Sequence, residues 1–254
     1  MSREKAEALR RLHEAPGLLV LPNVWDAVSA RTVAALPDCR ALATASWSIA
    51  AAHGERDGER LPRAAMLAAV AVIAGAVDVP VSADLESGYG ADASEVGLTI
   101  TGAIAAGAVG CNLEDAMRPA AEHAERVAAA RAAGEQAGVQ LVINARTDVF
   151  LGGTNDVQDA LERGGAYREA GADCIFVPGV ADAATIERLV GEMGAPVSVL
   201  ASPESPPLAE LERLSVARVT VGPGTLGVAM AALRRAAEGL LAKAELPADL
   251  GWRG

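Results

Sequence analysis

Asp84 and Glu86 stand one residue apart in Val81-Ser82-Ala83-Asp84-Leu85-Glu86-Ser87-Gly88-Tyr89-Gly90. In an extended chain residues i and i+2 point the same way, so both carboxylates are expected to project together from a strand end. Two like charges side by side repel, and burying them unpaired is costly. A divalent cation relieves that repulsion, and oxygen-only ligands suit a hard ion such as Mg2+. Gly88 and Gly90 allow a tight turn or close approach to a ligand. A solvated strand end followed by an ordinary turn is the competing reading, and only the rest of the chain separates the two.

Elements must place these residues. A first helix over 2–14 precedes expected strands at 17–21, 41–44, 79–84, 109–113, 141–144, 174–177, 197–200 and 218–221. Helices are expected at 25–36, 62–76, 93–106, 122–137, 157–170, 183–193, 208–214 and 225–241. Continuous apolar strands fit a parallel sheet buried on both faces. Eight β-then-α units predict a (β/α)8 TIM barrel, one domain over residues 1–254. A doubly wound open sheet ranks second, and no G-x-G-x-x-G follows a strand to support it. Leu246 to Gly254 is expected as a tail or an oligomer arm.

Composition limits the partners. The chain has 254 residues, 51% of them hydrophobic, enough for a sizeable core, with only 3% aromatic. A formal net charge of −11 argues against nucleic acid or an anionic membrane as partner. The three cysteines form no C-x-x-C pair, and the charged N-terminus has no apolar leader, so a cytoplasmic protein is expected.

Function in such a barrel gathers at the C-terminal strand ends. There the sequence places Asn23 and Asp26, Ser46 and Ser48, Asp84 and Glu86, Glu114 and Asp115, then Asn144, Arg146 and Asp148. The acids call for a cation. Arg146 matches a substrate carboxylate, which its fork can bind bidentately. Ser46 and the amides after it suit a second anionic group; Trp47 and Asn144 join Ser46 and Arg146 as substrate-binding candidates. Asp57, in the polar loop after the second strand, can reach over the same mouth. Simpler roles stand beside these. Glu114 and Arg146 can form a structural ion pair. Asp115 and Asp148 can act as caps or supporting groups, and Asp26 as a first-turn charge on a helix. His13 and His53 read as surface residues, and His123 as a histidine in the loop after the fourth strand.

With these residues assembled, the chain resembles the isocitrate lyase/phosphoenolpyruvate mutase superfamily. The resemblance rests on Pro22-Asn23-Val24-Trp25-Asp26, Thr44-Ala45-Ser46, Arg56-Asp57-Gly58, the stretch from Ala83 to Gly90, Asn112-Leu113-Glu114-Asp115 and Asn144-Ala145-Arg146-Thr147-Asp148. It implies a barrel whose last helix is exchanged between subunits of a dimer or tetramer. It implies Mg2+ or Mn2+ bound chiefly by Asp84, with Asp57, Glu86 and Glu114 ligating through water. It implies that Ser46 holds a substrate carboxylate and Arg146 the reacting end. The implied reaction breaks a C–C bond next to a small 2-oxo or 2-hydroxy carboxylate through a metal-bound enolate. C–P chemistry on a phosphonate, as in a mutase or phosphonopyruvate hydrolase, is the alternative; a non-catalytic barrel is the third. The lid after the fourth strand, Asp115 to His123, departs from the family by lacking both cysteine and lysine. Arg146, Asp57, Glu114 and His123 are therefore the catalytic candidates, with His123 or Arg118 for proton delivery. A homo-oligomer, a tetramer before a dimer, is also expected from the last helix, which is apolar on more than one face. Cover of that face by residues 2–14 of the same subunit is the alternative.

Overall fold

Pro22 interrupts the first strand, because a proline has no N–H to give to a ladder. The computed structural model describes residues 2–152 and 154–243, so the expected tail from Leu246 to Gly254 lies outside the described residues. The order is α1 (Ser2–Glu14), β1 (Leu19–Val20), β2 (Asn23–Val24), α2 (Ala27–Ala34), β3 (Leu42–Thr44), α3 (Ser46–Ala52) and α4 (Arg63–Gly75). It continues with β4 (Val81–Asp84), α5 (Ala93–Ala105), β5 (Gly110–Glu114), α6 (Ala120–Gln136), β6 (Val142–Arg146) and α7 (Val157–Glu169). The last elements are β7 (Cys174–Val177), α8 (Ala183–Glu192), β8 (Val197–Leu200), α9 (Leu208–Arg213), β9 (Arg218–Thr220) and α10 (Gly224–Leu241).

Every paired neighbour is parallel, in the order β1-β9-β8-β7-β6-β5-β4-β3-β2. β1 and β2 are two halves of one strand. The first half bonds β9 and the second bonds β3. Between them Leu21 N donates to Val219 O at 2.9 Å, and Ala43 N donates to Pro22 O at 3.1 Å. The ring therefore closes, giving the expected eight-stranded barrel.

The strands alternate between two cores. One set, including Leu42, Val81, Leu113, Ile143, Ile175, Val199 and Val219, packs outward with Met66, Ile73, Ile100, Val127 and Leu189 of the helices. The inner set is small: Leu19, Leu21, Ala41, Ala43 and Val142 meet Ala6 and Leu9 of α1. Thus α1 plugs the N-terminal end of the barrel. Gly110 makes room for it, since a Cβ there would lie 2.8 Å from Leu9 Cδ2. α1 therefore does not cover the spare face of α10. Only Leu226 of that helix is buried, and Val228, Met230, Leu233, Leu240 and Leu241 are exposed.

Local differences from the expectation have physical causes. Asp26 is the N-cap of α2 rather than a first-turn residue. Its Oδ1 accepts from Ser29 N at 2.7 Å, and Ser29 Oγ accepts from Asp26 N at 3.1 Å, a reciprocal capping box. α6 starts at Ala120, so His123 lies in a helix and not in a loop. His53 is exposed as expected, but His13 is buried.

His13 Nδ1 lies 2.9 Å from Leu9 O, and burial, with Arg218 adding repulsion, pulls its pKa down from 6.5 to about 4. Between those values the unfolded chain holds a proton here that the folded chain does not. This contribution to stability is complete above about pH 6.5 and is lost as pH falls toward 4. His13→Leu should remove about 3 kcal/mol of that acid loss. Urea unfolding of both proteins at neutral and acid pH measures it; an identical pH dependence in the two would contradict the assignment.

Candidate active site

β4 ends at Asp84, and the chain beyond it is no longer extended. Asp84 N donates to Thr44 Oγ1 at 2.8 Å, and Ser46 N donates to Asp84 Oδ2 at 2.9 Å. These bonds tie β4 to the point where β3 turns directly into α3. Ser46 Oγ then donates to Asp57 Oδ1 at 3.1 Å. Ser46 therefore holds Asp84 and Asp57 together. Burial, and the charge of Asp84 next to it, raise the pKa of Asp57.

Glu86 is brought to the same mouth by a different route from the expected strand alternation. It lies two residues beyond the strand in the left-handed region, with φ 50°. Its Oε2 accepts from Gly58 N at 2.8 Å and from Glu59 N, and its Oε1 accepts from Tyr89 OH. Glu59 returns the arrangement, accepting from Ser87 Oγ and Tyr89 N, each at 2.7 Å. The polar loop carrying Asp57 is thus stitched to the loop after β4. Burial raises the pKa of Glu86, against the donors that hold its charged form.

The cation of the site is Arg146, at the end of β6. Its Nη1 pairs with Glu114 Oε2 and its Nε with Asp148 Oδ1, both at 2.6 Å. Of the roles expected for this residue, the ion pair with Glu114 is present. Burial, reinforced by Asp84, Asp148 and Glu86 and opposed by Arg146, pushes Glu114 up to about 8. Burial likewise raises Asp148. Arg146 loses charge stability to burial but gains more from Glu114 and Asp148, so its pKa is raised.

Asp115 supports this pair from behind. It is fully buried; its Oδ1 accepts from Met117 N at 2.9 Å and Asp148 N at 3.1 Å. Its Oδ2 accepts from Tyr167 OH at 2.7 Å and Arg163 Nη1 at 3.1 Å. One carboxylate thereby fixes both the start of the lid and the loop that orients Arg146. Ala116 and Met117 both have positive φ, so the lid leaves β5 through a sharp turn that depends on this anchor.

The structure brings together Ser46, Asp57, Asp84, Glu86, Glu114 and Arg146. Trp47 lies beside them, half-exposed in α3. Asn144 is fully buried one layer below and donates to Asn112 Oδ1 at 2.8 Å. His123 is not brought to the mouth. It is fully buried, its ring edge-on to Tyr167 with centroids 4.6 Å apart, and burial lowers its pKa to about 4. The sequence reading missed Glu59, the Asp115–Tyr167–Arg163 cluster and Arg126. Arg126, buried on α6, donates to the carbonyls of Ser87, Gly90 and Ala91 at 3.2, 3.0 and 2.8 Å. Nothing in a charged, alanine-rich helix marks that residue; Tyr89 at least stands inside the acidic motif.

The family profile described as phosphoenolpyruvate phosphomutase matches residues 9–241. An uncharacterized protein of Mycobacterium tuberculosis is 30% identical over 237 residues, 93% of this chain and 90% of the relative. A Burkholderia cenocepacia J2315 structure with a provisional phosphonomutase assignment superposes with a TM-score of 0.89 at 44% identity, covering 94% of this chain and 99% of that one. The structure of 2,3-dimethylmalate lyase superposes with a TM-score of 0.86 at 27% identity, covering 97% and 91%.

Arg126 holds the loop that carries Glu86 and Tyr89. Arg126→Met removes three charge-assisted bonds and should cost about 3 kcal/mol or more in urea unfolding. A change below about 1 kcal/mol would show that the loop holds itself.

Proposed function

Because this chain belongs to the phosphoenolpyruvate phosphomutase family, within the PEP mutase/isocitrate lyase superfamily, we propose that it is a Mg2+-dependent lyase. It cleaves a C–C bond next to a small 2-oxo or 2-hydroxy carboxylate. The observation that carries this reading is the mouth itself: a guanidinium fixed at 2.6 Å on two sides faces a crowd of carboxylates.

The donor set fits a hard cation, Mg2+ or Mn2+. It is all oxygen, and its acids are pushed upward in pKa by burial and mutual repulsion. Among the described residues no three His, Cys, Asp or Glu side chains converge tightly enough to hold a metal directly. One direct ligand, Asp84, and water-mediated contacts from Asp57, Glu86 and Glu114 would hold the ion, since Mg2+ keeps much of its hydration. Glu86 already has both oxygens hydrogen-bonded, so its part is to fix the loops as much as to face the ion. Bound there, the cation would act as a Lewis acid toward the substrate's 2-oxygen.

The chain's own groups do the rest. Arg146 offers its remaining fork nitrogen to a substrate carboxylate, and the pairs to Glu114 and Asp148 prevent it from swinging away. Ser46 and Trp47 frame the opposite side. With a 2-oxo acid the electron pair of the broken bond stays on the 2-oxo fragment as its enolate, which then takes a proton at carbon. With a 2-hydroxy acid the hydroxyl gives up its proton, C2 becomes the new carbonyl, and the pair leaves on the other fragment, which takes the proton. Glu114, pushed up to about 8 by burial, is the carboxyl a proton reaches first. Arg118 stands at the lid with Nη2 3.4 Å from Ser87 Oγ, and is the lid's own cation.

C–P chemistry is the second reading, favoured by the Burkholderia relative and the family description. Against it, the lid has no lysine, and the Gly222-Pro223-Gly224 turn adjoins an apolar recess with Leu200, Pro206 and Val228. A turnover screen with Mg2+ over oxaloacetate, methylisocitrate-like acids and phosphonopyruvate tests both. We expect a 2-oxo acid fragment from a C–C substrate and an unchanged phosphorus NMR signal from the phosphonate. The reverse pattern replaces the first reading by the second, and no turnover at all would favour a non-catalytic barrel. On the active substrate, Arg146→Lys should lower kcat/KM about 100-fold, because a point charge does not reproduce the fork.

We also infer a cytoplasmic homo-oligomer, a tetramer or dimer in which α10 packs on a neighbouring subunit. Its exposed Val228, Met230, Leu233 and Leu241 support this. Among the described residues no helix is long and apolar enough to cross a membrane. Light scattering should give a multiple of the 25.8 kDa chain; the mass of a single chain would overturn the exchange.

A further inference from the structure

Arg218 begins β9, and its side chain enters the barrel rather than the solvent. It is fully buried. Its Nη2 donates to Asn112 Oδ1 at 3.2 Å. Asn112 belongs to β5, which stands four strands from β9 in either direction around the closed ring. The guanidinium therefore crosses the lumen to the opposite wall. There Asn112 Oδ1 also accepts from Asn144 Nδ2, and Asn112 is the register partner of Asp84. A belt of Arg218, Asn112 and Asn144 thus runs in register beside Asp84, the acid at the centre of the mouth.

This cation has no local counter-ion. Among the described residues no carboxylate forms an ion pair with it, and its Nε and Nη1 have no hydrogen-bond partner. Its register neighbours, Leu19 and Ser198, carry no charge. Burial pulls its pKa down to about 10, with Cys174, Asp84 and Cys111 pulling the other way, so it stays charged at neutral pH. Burying an unpaired charge costs several kcal/mol, so the fold has to compensate it through space. The acidic cluster above it is the available opposite charge.

We propose that Arg218 is the built-in counter-charge of the acidic mouth, a positioning residue that by repulsion limits how tightly the site holds a divalent cation. The proposal rests on the reading of this mouth as a Mg2+ site. Arg218 touches neither metal nor substrate; it acts through the field across Asn112 and Asp84. A merely structural arginine would, when replaced, leave metal binding unchanged or weaken it. A counter-charge, when removed, strengthens it.

The experiment is calorimetric titration of the full chain with MgCl2 at about pH 9, above the carboxylate range, so that protons do not compete. Arg218→Met and Arg218→Gln should bind Mg2+ about tenfold more tightly than the wild type, the size expected for one charge at moderate effective dielectric. Arg218→Lys should tighten likewise, because a lysine in this buried place, shifted down as the arginine is, has lost its proton at about pH 9. Variants that bind equally or more weakly would overturn the proposal. If Arg218→Met and Arg218→Gln do not fold, the lysine variant decides alone: tightening beyond about threefold supports the proposal, and a smaller change or a weakening overturns it. A wild-type chain that does not bind Mg2+ at all defeats the metal reading itself, a result distinct from a failure of the counter-charge.

Discussion

Like charges forced together at the strand ends set the terms for the rest of this molecule. Asp57, Asp84, Glu86 and Glu114 meet over one barrel mouth, and burial raises three of them in pKa. Left alone, such a cluster would spread or protonate. Each acid is instead held by a specific group: Asp84 by Ser46 N, Asp57 by Ser46 Oγ, Glu86 by the amides of Gly58 and Glu59, and Glu114 by Arg146. The loops around the mouth exist largely as the scaffold for those donors. The arrangement carries stored repulsion, which a cation or an anchored positive side chain relieves.

That scaffold is rigid because its own supports are buried. Asp115 takes four donors from three directions, and so joins the lid, the Arg146 loop and α7 in one unit. Arg126 holds three carbonyls of the loop after β4 from the helix behind it. At the other end of the barrel α1 fills the lumen, which the strands leave narrow but incompletely packed, with Ala6 and Leu9. Catalytic geometry in this fold tolerates little slack, and these contacts take the slack up.

Much of this was legible in the sequence, because the strands are unbroken apolar runs and the acids follow them at once. The barrel, its strand ends and the group of Ser46, Asp84, Glu114 and Arg146 follow from that pattern. Other features depend on what crosses the fold and have no local signature. The break at Leu21-Pro22 closes the ring, yet reads in sequence as a strand end. Glu86 reaches the mouth through a positive φ, where alternation along a strand had suggested a shared face with Asp84. His13 reads as a surface residue and His123 as a loop histidine, but tertiary packing buries both. Asn144 shares a motif with Arg146, but alternation sinks it one layer into the lumen. Arg126 and Arg218 resemble ordinary surface charges until the helices and strands are assembled around them.

The central claim is that the crowded carboxylates form a cation site anchored by Asp84. Isothermal titration of Mg2+ into the wild type and into Asp84→Ala tests it most directly. The account predicts saturable binding to the wild type and a loss of at least about 100-fold in affinity on removing the anchoring ligand. Equal affinity in the two proteins would contradict it.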